Sequence, residues 1–414
     1  MKKIYVSSQF FGYGPTSNLF SILKSLKSKS SLFEIYGIKN EVMEFFASKN
    51  PGIIDQWSGE IDYSEVDILM SSFDPFYIFE AWLNDIPTIF YCNLFWYWNV
   101  FDKKNKMILH KENFYRLKAK NKLEARALFR KILSENPHEA IFLGYMLSTN
   151  CFTRNFYDID NFIDVYKNEM NLSVFDTHIP YQLKNPEKIK KQILIQLAGS
   201  RNCIVTKKEN IFYMDLCLKL AKYIADIYPN FEIIICANPL LLTQVNLLKS
   251  SFPGNVKITP SFSQEENMFM IEDSFALFAS PGLETIYEGI YCRCPIFLLP
   301  EQNAGQYSIF QLLNKTGYNP DRFLINEFFP NRNKLSGEND AHAIYEIIKK
   351  NILNSKIILD CFFNKAINFV DKMMQKKEKN KYLTMSLNSL ILDPKKSPFA
   401  EREAISDFII QHYS

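Results

Sequence analysis

The sequence predicts an α/β protein made of two doubly wound domains, and three observations carry that prediction. Short apolar runs of strand length alternate with amphipathic helical segments, and this alternation occurs twice along the chain. A polar stretch containing Asn185-Pro-Glu-Lys-Ile-Lys-Lys separates the two alternating regions. At 414 residues the chain exceeds what one hydrophobic core ordinarily serves.

The first region begins with a strand over Lys3–Ser7 and a glycine-rich loop, Phe11-Gly-Tyr-Gly-Pro-Thr-Ser-Asn18, which leads into an amphipathic helix, Ser17–Lys27. Phe33–Ile38 reads as a strand, Glu41–Ser48 as a helix, and Val66–Ser71 as a strand ending at Ser72-Phe-Asp-Pro75. A short helix, Phe76–Asn84, precedes the strand Thr88–Cys92 and the aromatic run Asn93-Leu-Phe-Trp-Tyr-Trp98. Residues 102–147 then read as an insertion of one or two long basic amphipathic helices. Ser173–Lys191 reads as linker-like, with the linker between the domains at 181–191.

The second region starts at Gln192. Ile193–Leu197 is a strand stopped by Gly199-Ser200, Phe212–Ile227 a helix, and Phe231–Cys236 a strand. Leu240–Ser250 reads as a helix, Val256–Thr259 as a strand and Glu265–Glu272 as a helix. Next come a strand ending in the tight turn Ser280-Pro-Gly282, a helix carrying Glu284 and Glu288, a strand up to Pro300, and the loop Glu301-Gln-Asn-Ala-Gly-Gln306. The expected boundaries are an N-terminal domain over 1–180, a C-terminal domain over 192–380, and a tail over 381–414 that packs back toward the first domain.

Composition excludes several classes. A net charge of +3 is too small to argue for nucleic acid as a partner. The 8 cysteines are scattered, and Cys292-x-Cys294 without a second pair is a poor zinc pattern, so reduced buried thiols and no metal are expected. The uncharged run from Pro87 to Val100 is shorter than the ~20 residues of a spanning helix, and no signal peptide is evident, so a cytoplasmic protein is expected. The aromatic run and the basic stretch that follows it in sequence permit an acceptor that is hydrophobic, anionic or membrane-held, with peripheral contact at the inner face of a membrane.

Chemistry concentrates around Ser280–Gln306. A diphosphate requires N–H donors and positive potential, which a glycine turn at a helix N-terminus supplies. Gly282, lacking a Cβ, lets backbone approach phosphate closely. A ribose diol asks for a two-oxygen acceptor, and Glu288 and Glu284 share one helix face; spacing alone does not choose between them. Gln302 and Gln306 can donate to and accept from sugar hydroxyls. In a doubly wound domain such loops sit at the carboxyl ends of the strands, where ligands bind.

Segments 192–200 and 277–310 resemble the donor-binding domain of GT-B glycosyltransferases, in the manner of the lipid II-forming N-acetylglucosaminyltransferase and natural-product glycosyltransferases. The match rests on Gly199-Ser200, on Ser280-Pro-Gly-Leu-Glu-Thr285 with Glu288, and on Pro300, Gln302 and Gln306. The resemblance implies a GT-B architecture, two Rossmann-like domains facing an interdomain cleft. It implies Gly199, Ser200, Arg201, Phe262, Ser280, Gly282, Leu283, Thr285 and Glu288 as nucleotide ligands, with Glu288 on the ribose, and Gln302 and Gln306 as donor-sugar ligands. The co-substrate would be a UDP- or dTDP-sugar, with no further cofactor.

On the acceptor side, Gly12, Gly14 and Thr16 of the first loop and Trp96 of the aromatic run are the candidates. The histidine that many inverting members place in the first loop is absent, since no His precedes His110. Asp74, at the end of its strand, is the substitute base, and the alternative reading makes it the cap of the helix after Pro75. The expected function is inverting, metal-independent transfer of a sugar to a hydroxyl or amine on a small-molecule or lipid-linked acceptor. The alternatives are a nucleotide-sugar hydrolase or epimerase on the same scaffold, or a silent binding protein.

Overall fold

A computed structural model describes residues 1–9, 14–93, 95, 104–154, 164, 166, 168–175, 190–197, 199, 205–238, 252–315, 317–329, 340–389 and 400–414. The chain forms two compact units, Met1–His178 with Lys395–Ser414, and Ile179–Pro394.

Unit 1 is built on a parallel sheet of seven strands in the order β3-β2-β1-β4-β5-β6-β7. These are β1 (Lys2–Ser8), β2 (Phe33–Ile38), β3 (Gln56–Ser58), β4 (Ile68–Ser72), β5 (Thr88–Tyr91), β6 (Asn150–Arg154) and β7 (Leu172–Phe175). One face is covered by α1 (Gly14–Lys29) and α2 (Glu41–Lys49), whose Leu19, Ile22, Leu23 and Val42 meet Ile4, Val6 and Ile68 in one core. The other carries α3 (Pro75–Leu83), α4 (Lys104–Lys118), α5 (Lys122–Glu135) and α6 (Pro137–Leu147), with Phe79, Phe129 and Phe142 buried against Leu69 and Phe90. Helices on both faces explain why the strands read as continuous apolar runs.

The basic stretch is three helices rather than the one or two expected. Asn121 caps α5, and Asn136 with Pro137 starts α6, so side-chain oxygens and a proline break what hydrophobic periodicity alone would join. Arg126 pairs with Glu80 and Lys111 with Glu169, which places part of the positive charge in intramolecular ion pairs. Two strands, β3 and β6, lie in segments not read as strands, and β7 occupies Ser173–Phe175, read as the start of the linker. The remainder of that linker, 176–189, falls outside the described residues.

Unit 2 has a parallel five-stranded sheet in the order β10-β9-β8-β11-β12. Its strands are β8 (Gln192–Leu197), β9 (Glu232–Ala237), β10 (Val256–Pro260), β11 (Ser274–Ala279) and β12 (Ile296–Leu298). The larger core packs α7 (Lys207–Ile227) and later helices onto the sheet through Tyr213, Leu220, Ile224, Phe362 and Phe369. On the opposite face lie α8 (Gln264–Glu272) and α9 (Leu283–Tyr291), which contact each other. Gly289 lets α9 lie close on the sheet, because a Cβ there would stand 2.5 Å from Cδ1 of Ile296 on β12. The unit continues with α10 (Ala304–Lys315), α11 (Ile325–Phe328), α12 (Asp340–Ile347), α13 (Lys356–Met374) and α14 (Lys376–Ser389).

The last helix, α15 (Ala400–Tyr413), belongs to unit 1. It buries Ile405 and Ile409 completely in the α1 core, while Ser406 hydrogen-bonds Ser25 at 2.8 Å and Asp407 pairs with Lys29 at 2.8 Å. Among the described residues no helix is long and apolar enough to cross a membrane.

Candidate functional site

Each sheet reverses its strand order once. In unit 2 the reversal falls between β8 and β11, so the loops after these two strands flank a crevice of the kind that holds ligands in doubly wound sheets. The first loop carries Gly199, which is exposed; Ser200 and Arg201 lie outside the described residues. The second loop is Ser280-Pro-Gly282, followed directly by α9.

The helices around this turn have ordinary starts. Thr206 and Glu209 form a capping box on α7, and Ser263 and Glu266 form another on α8. At α9 the cap position is Gly282, and no side chain caps the first turn. Gly282 has φ −95°, a conformation open to any residue, and a Cβ there would meet only Thr285 Oγ1 at 3.7 Å and the Ser280 carbonyl at 3.9 Å. The fold itself therefore makes no demand for glycine at this position. What glycine provides is an unobstructed line of N–H groups at the positive end of α9.

Glu288 lies in the second turn of α9 and is buried, whereas Glu284, one turn closer to the helix start, is half-buried. Its Oε2 accepts a hydrogen bond from Asn267 of α8 at 3.1 Å, and Asn267 in turn accepts from the Gln196 amide on β8. No local sequence pattern singles out Asn267 and Gln196, since their partners lie 21 and 71 residues away. Leu283 is buried at the helix start and Thr285 half-buried beside it. Phe262 follows β10 and immediately precedes the Ser263 cap.

The loop after β12 turns one of its two glutamines inward. Gln302 is 2% exposed; its amide nitrogen donates to the Tyr345 hydroxyl at 2.9 Å, and its oxygen lies 3.4 Å from Ser280 Oγ. Placed so, the side chain braces the loop. Gln306 is half-buried and accepts from the Gln302 backbone N–H through Oε1 at 2.7 Å; its amide nitrogen has no hydrogen-bond partner among the described residues. Glu301, fully buried, accepts from the N–H groups of Ile325 and Asn326, each at 2.7 Å, and burial raises its carboxyl pKa.

In unit 1 the reversal falls between β1 and β4, which brings the start of α1 beside the end of β4. Gly12 and Trp96 lie outside the described residues. Gly14 opens α1 with open space where a Cβ would point. Thr16, expected to face ligand, is fully buried and pairs with Ser8 Oγ at 2.6 Å, so it anchors α1 to β1. Ser72 Oγ donates to the Pro15 carbonyl at 2.9 Å, Ser7 Oγ to Ser71 Oγ at 2.8 Å, and Ser71 Oγ to the Asp74 carbonyl at 2.8 Å.

Asp74 caps α3 by accepting from the Phe76 N–H at 3.1 Å. Burial pushes its carboxyl up to about 6, against the N–H groups of Phe76 and Tyr77 that hold it down. Phe73, just before it, has φ +63°, the left-handed region that bulky residues avoid. The base and cap readings of Asp74 are thus compatible: the cap fixes the carboxylate, and burial raises its proton affinity.

No protein-family model matches the chain, and no curated protein matches it. Solved structures do. A putative UDP-N-acetylglucosamine 2-epimerase from Listeria monocytogenes is similar at 10% identity and a TM-score of 0.53, over 100% of this chain and 96% of that one. MurG of Acinetobacter baumannii is similar at 10% identity and a TM-score of 0.49, over 99% and 100%. The kitacinnamycin glycotransferase is similar at 10% and 0.49, over 99% and 98%. The first likeness shows a shared fold of two parallel α/β units, the architecture expected from the sequence.

Proposed function

We propose that unit 2 binds a nucleotide diphosphate sugar and that the protein transfers the sugar to a hydroxyl or amine acceptor. One observation carries the reading: α9 starts at the β8/β11 reversal on a glycine that neither backbone conformation nor packing requires. An incoming diphosphate supplies the missing reason, since close approach to the N–H groups of α9 excludes a Cβ. Glu288, oriented by Asn267, accepts from the ribose hydroxyls. Gln306 offers its amide nitrogen to the sugar, while Gln302 holds the loop.

In the reaction the acceptor oxygen or nitrogen attacks the anomeric carbon, the bond to the diphosphate oxygen breaks, and Asp74 takes the acceptor proton. A carboxylate at about 6 suits a general base near neutrality. The leaving diphosphate is stabilised by the N–H groups of α9. The test is to incubate the protein with UDP- and dTDP-sugars, with and without a mixed set of hydroxyl and amine acceptors, and to follow both sugar and nucleotide by mass spectrometry and NMR. Acceptor-dependent release of nucleoside diphosphate supports transfer.

A second reading is supported by the likeness to a UDP-N-acetylglucosamine 2-epimerase. Conversion of UDP-N-acetylglucosamine to its 2-epimer with no acceptor present would establish it in place of transfer.

A further inference from the structure

Beneath the Ser280 turn lies a buried hydroxyl network that no step of the proposed reaction uses. Tyr213 of α7 is fully buried; its hydroxyl donates to the Pro300 carbonyl at 2.9 Å and lies 2.8 Å from Ser280 Oγ. Ser280 Oγ is also 3.4 Å from the Gln302 amide oxygen. The nitrogen of that amide donates to Tyr345 of α12, which donates onward to Asn210 Oδ1 at 3.4 Å. The two tyrosine rings stand side by side, with centroids 6.3 Å apart. Two phenols from two helices therefore span the loop after β11 and the loop after β12.

The proton count gives this arrangement a consequence. Tyr213 and Ser280 carry one hydroxyl proton each, yet they enter three contacts: with each other, with Pro300 and with Gln302. Two protons cannot fill three contacts, so the pattern shifts as a unit. When Ser280, which is half-buried, turns its proton outward to a ligand oxygen, Tyr213 can donate into the acceptor position left behind. Burial keeps the Tyr213 phenol protonated, its pKa well above the usual range, and so available as a donor.

We propose that Tyr213 and Tyr345 are positioning residues that lock the two loops at a fixed spacing. Tyr213 orients the Ser280 hydroxyl toward the diphosphate, and Tyr345, through Gln302, holds the loop that presents Gln306 to the sugar. The proposal deepens the nucleotide-sugar reading and rests on it.

The test is titration calorimetry on the full chain with UDP and with UDP-N-acetylglucosamine. Tyr213→Phe removes a donor shared by both loops and weakens both probes about fivefold. Tyr345→Phe, which, of the two loops, loses a hydrogen bond only to the second, weakens UDP-N-acetylglucosamine about fivefold and changes UDP by less than about twofold. Because Tyr213 reaches the diphosphate through Ser280, adding Tyr213→Phe to Ser280→Ala costs little further affinity for UDP. Folded variants that bind both probes like the wild type overturn the inference and leave the nucleotide-sugar reading standing. A Tyr345→Phe variant that weakens both probes equally also overturns it, and that variant decides alone should Tyr213→Phe not fold. If the wild type binds neither probe, the same variants are read with whichever of dTDP, GDP, CDP or ADP it binds, and a wild type that binds none of these removes the underlying reading and this inference with it.

Discussion

Asn267 of α8 donates its side-chain amide to Oε2 of Glu288 on α9 at 3.1 Å. Through Gln196 the same asparagine is tied to β8, so one carboxylate at the strand-order reversal is fixed by two neighbouring elements. An oriented carboxylate loses less freedom when it accepts hydrogen bonds from a ligand. Glu288→Ala should weaken nucleoside diphosphate binding about tenfold or more, and Asn267→Ala about threefold, measured by calorimetry.

Gly282→Ala separates the needs of the fold from those of the ligand. The new Cβ fits with ordinary contacts at φ −95°, and alanine stiffens the unfolded chain, although it is a poorer helix cap than glycine. Unligated stability should therefore move by less than about 1 kcal/mol. Nucleotide-dependent stabilisation should fall sharply, because the methyl group stands where phosphate approaches. Melting curves with and without UDP read both quantities.

Asp74 gives a pH signature. Its folded carboxyl is raised from 3.8 to about 6, so the native state holds a proton that the unfolded chain releases earlier. The associated stability is fully present below about pH 4 and is lost as pH rises through about 6. The rise corresponds to at most about 3 kcal/mol, and because Asp74 is half-buried the expectation is about 1–2 kcal/mol. Asp74→Asn keeps an oxygen for the Phe76 N–H. The variant should match the wild type in urea unfolding at about pH 4, exceed its stability by about 1–2 kcal/mol at about pH 7.5, and lose sugar transfer.

The C-terminal helix is a structural part of unit 1. Ile409 is fully buried in the core shared with α1 and β1. Ile409→Ala should cost about 2–4 kcal/mol and shift the unfolding transition of unit 1. A variant with unchanged denaturation midpoints would contradict this placement of α15.

Sequence patterns exposed the parts of this fold that local chemistry dictates. The strand from Ile193 to Leu197, the Ser280–Gly282 turn and the helix after it all carry apolar runs or glycine signals that speak for themselves. β6 was passed over because Asn150, Thr153 and Arg154 read as surface, although all three are buried once the sheet forms around them. The start of α6 was legible in Asn136-Pro137 but was overridden by continuous helical periodicity. At the site, the inward turn of Gln302 depends on Tyr345, 43 residues away, and no local pattern announces such a partner. Tyr213 looked like one more apolar helix residue, because its hydroxyl acquires partners only when the loops after β11 and β12 come together.

The central claim is that unit 2 holds a nucleoside diphosphate at the start of α9. A thermal-shift panel of UDP, dTDP, GDP, CDP and ADP on the full chain tests it most directly. At least one of these should raise the melting temperature of the wild type, and Gly282→Ala and Glu288→Ala should abolish or greatly reduce that rise. A folded wild type whose melting temperature none of the five changes would contradict it.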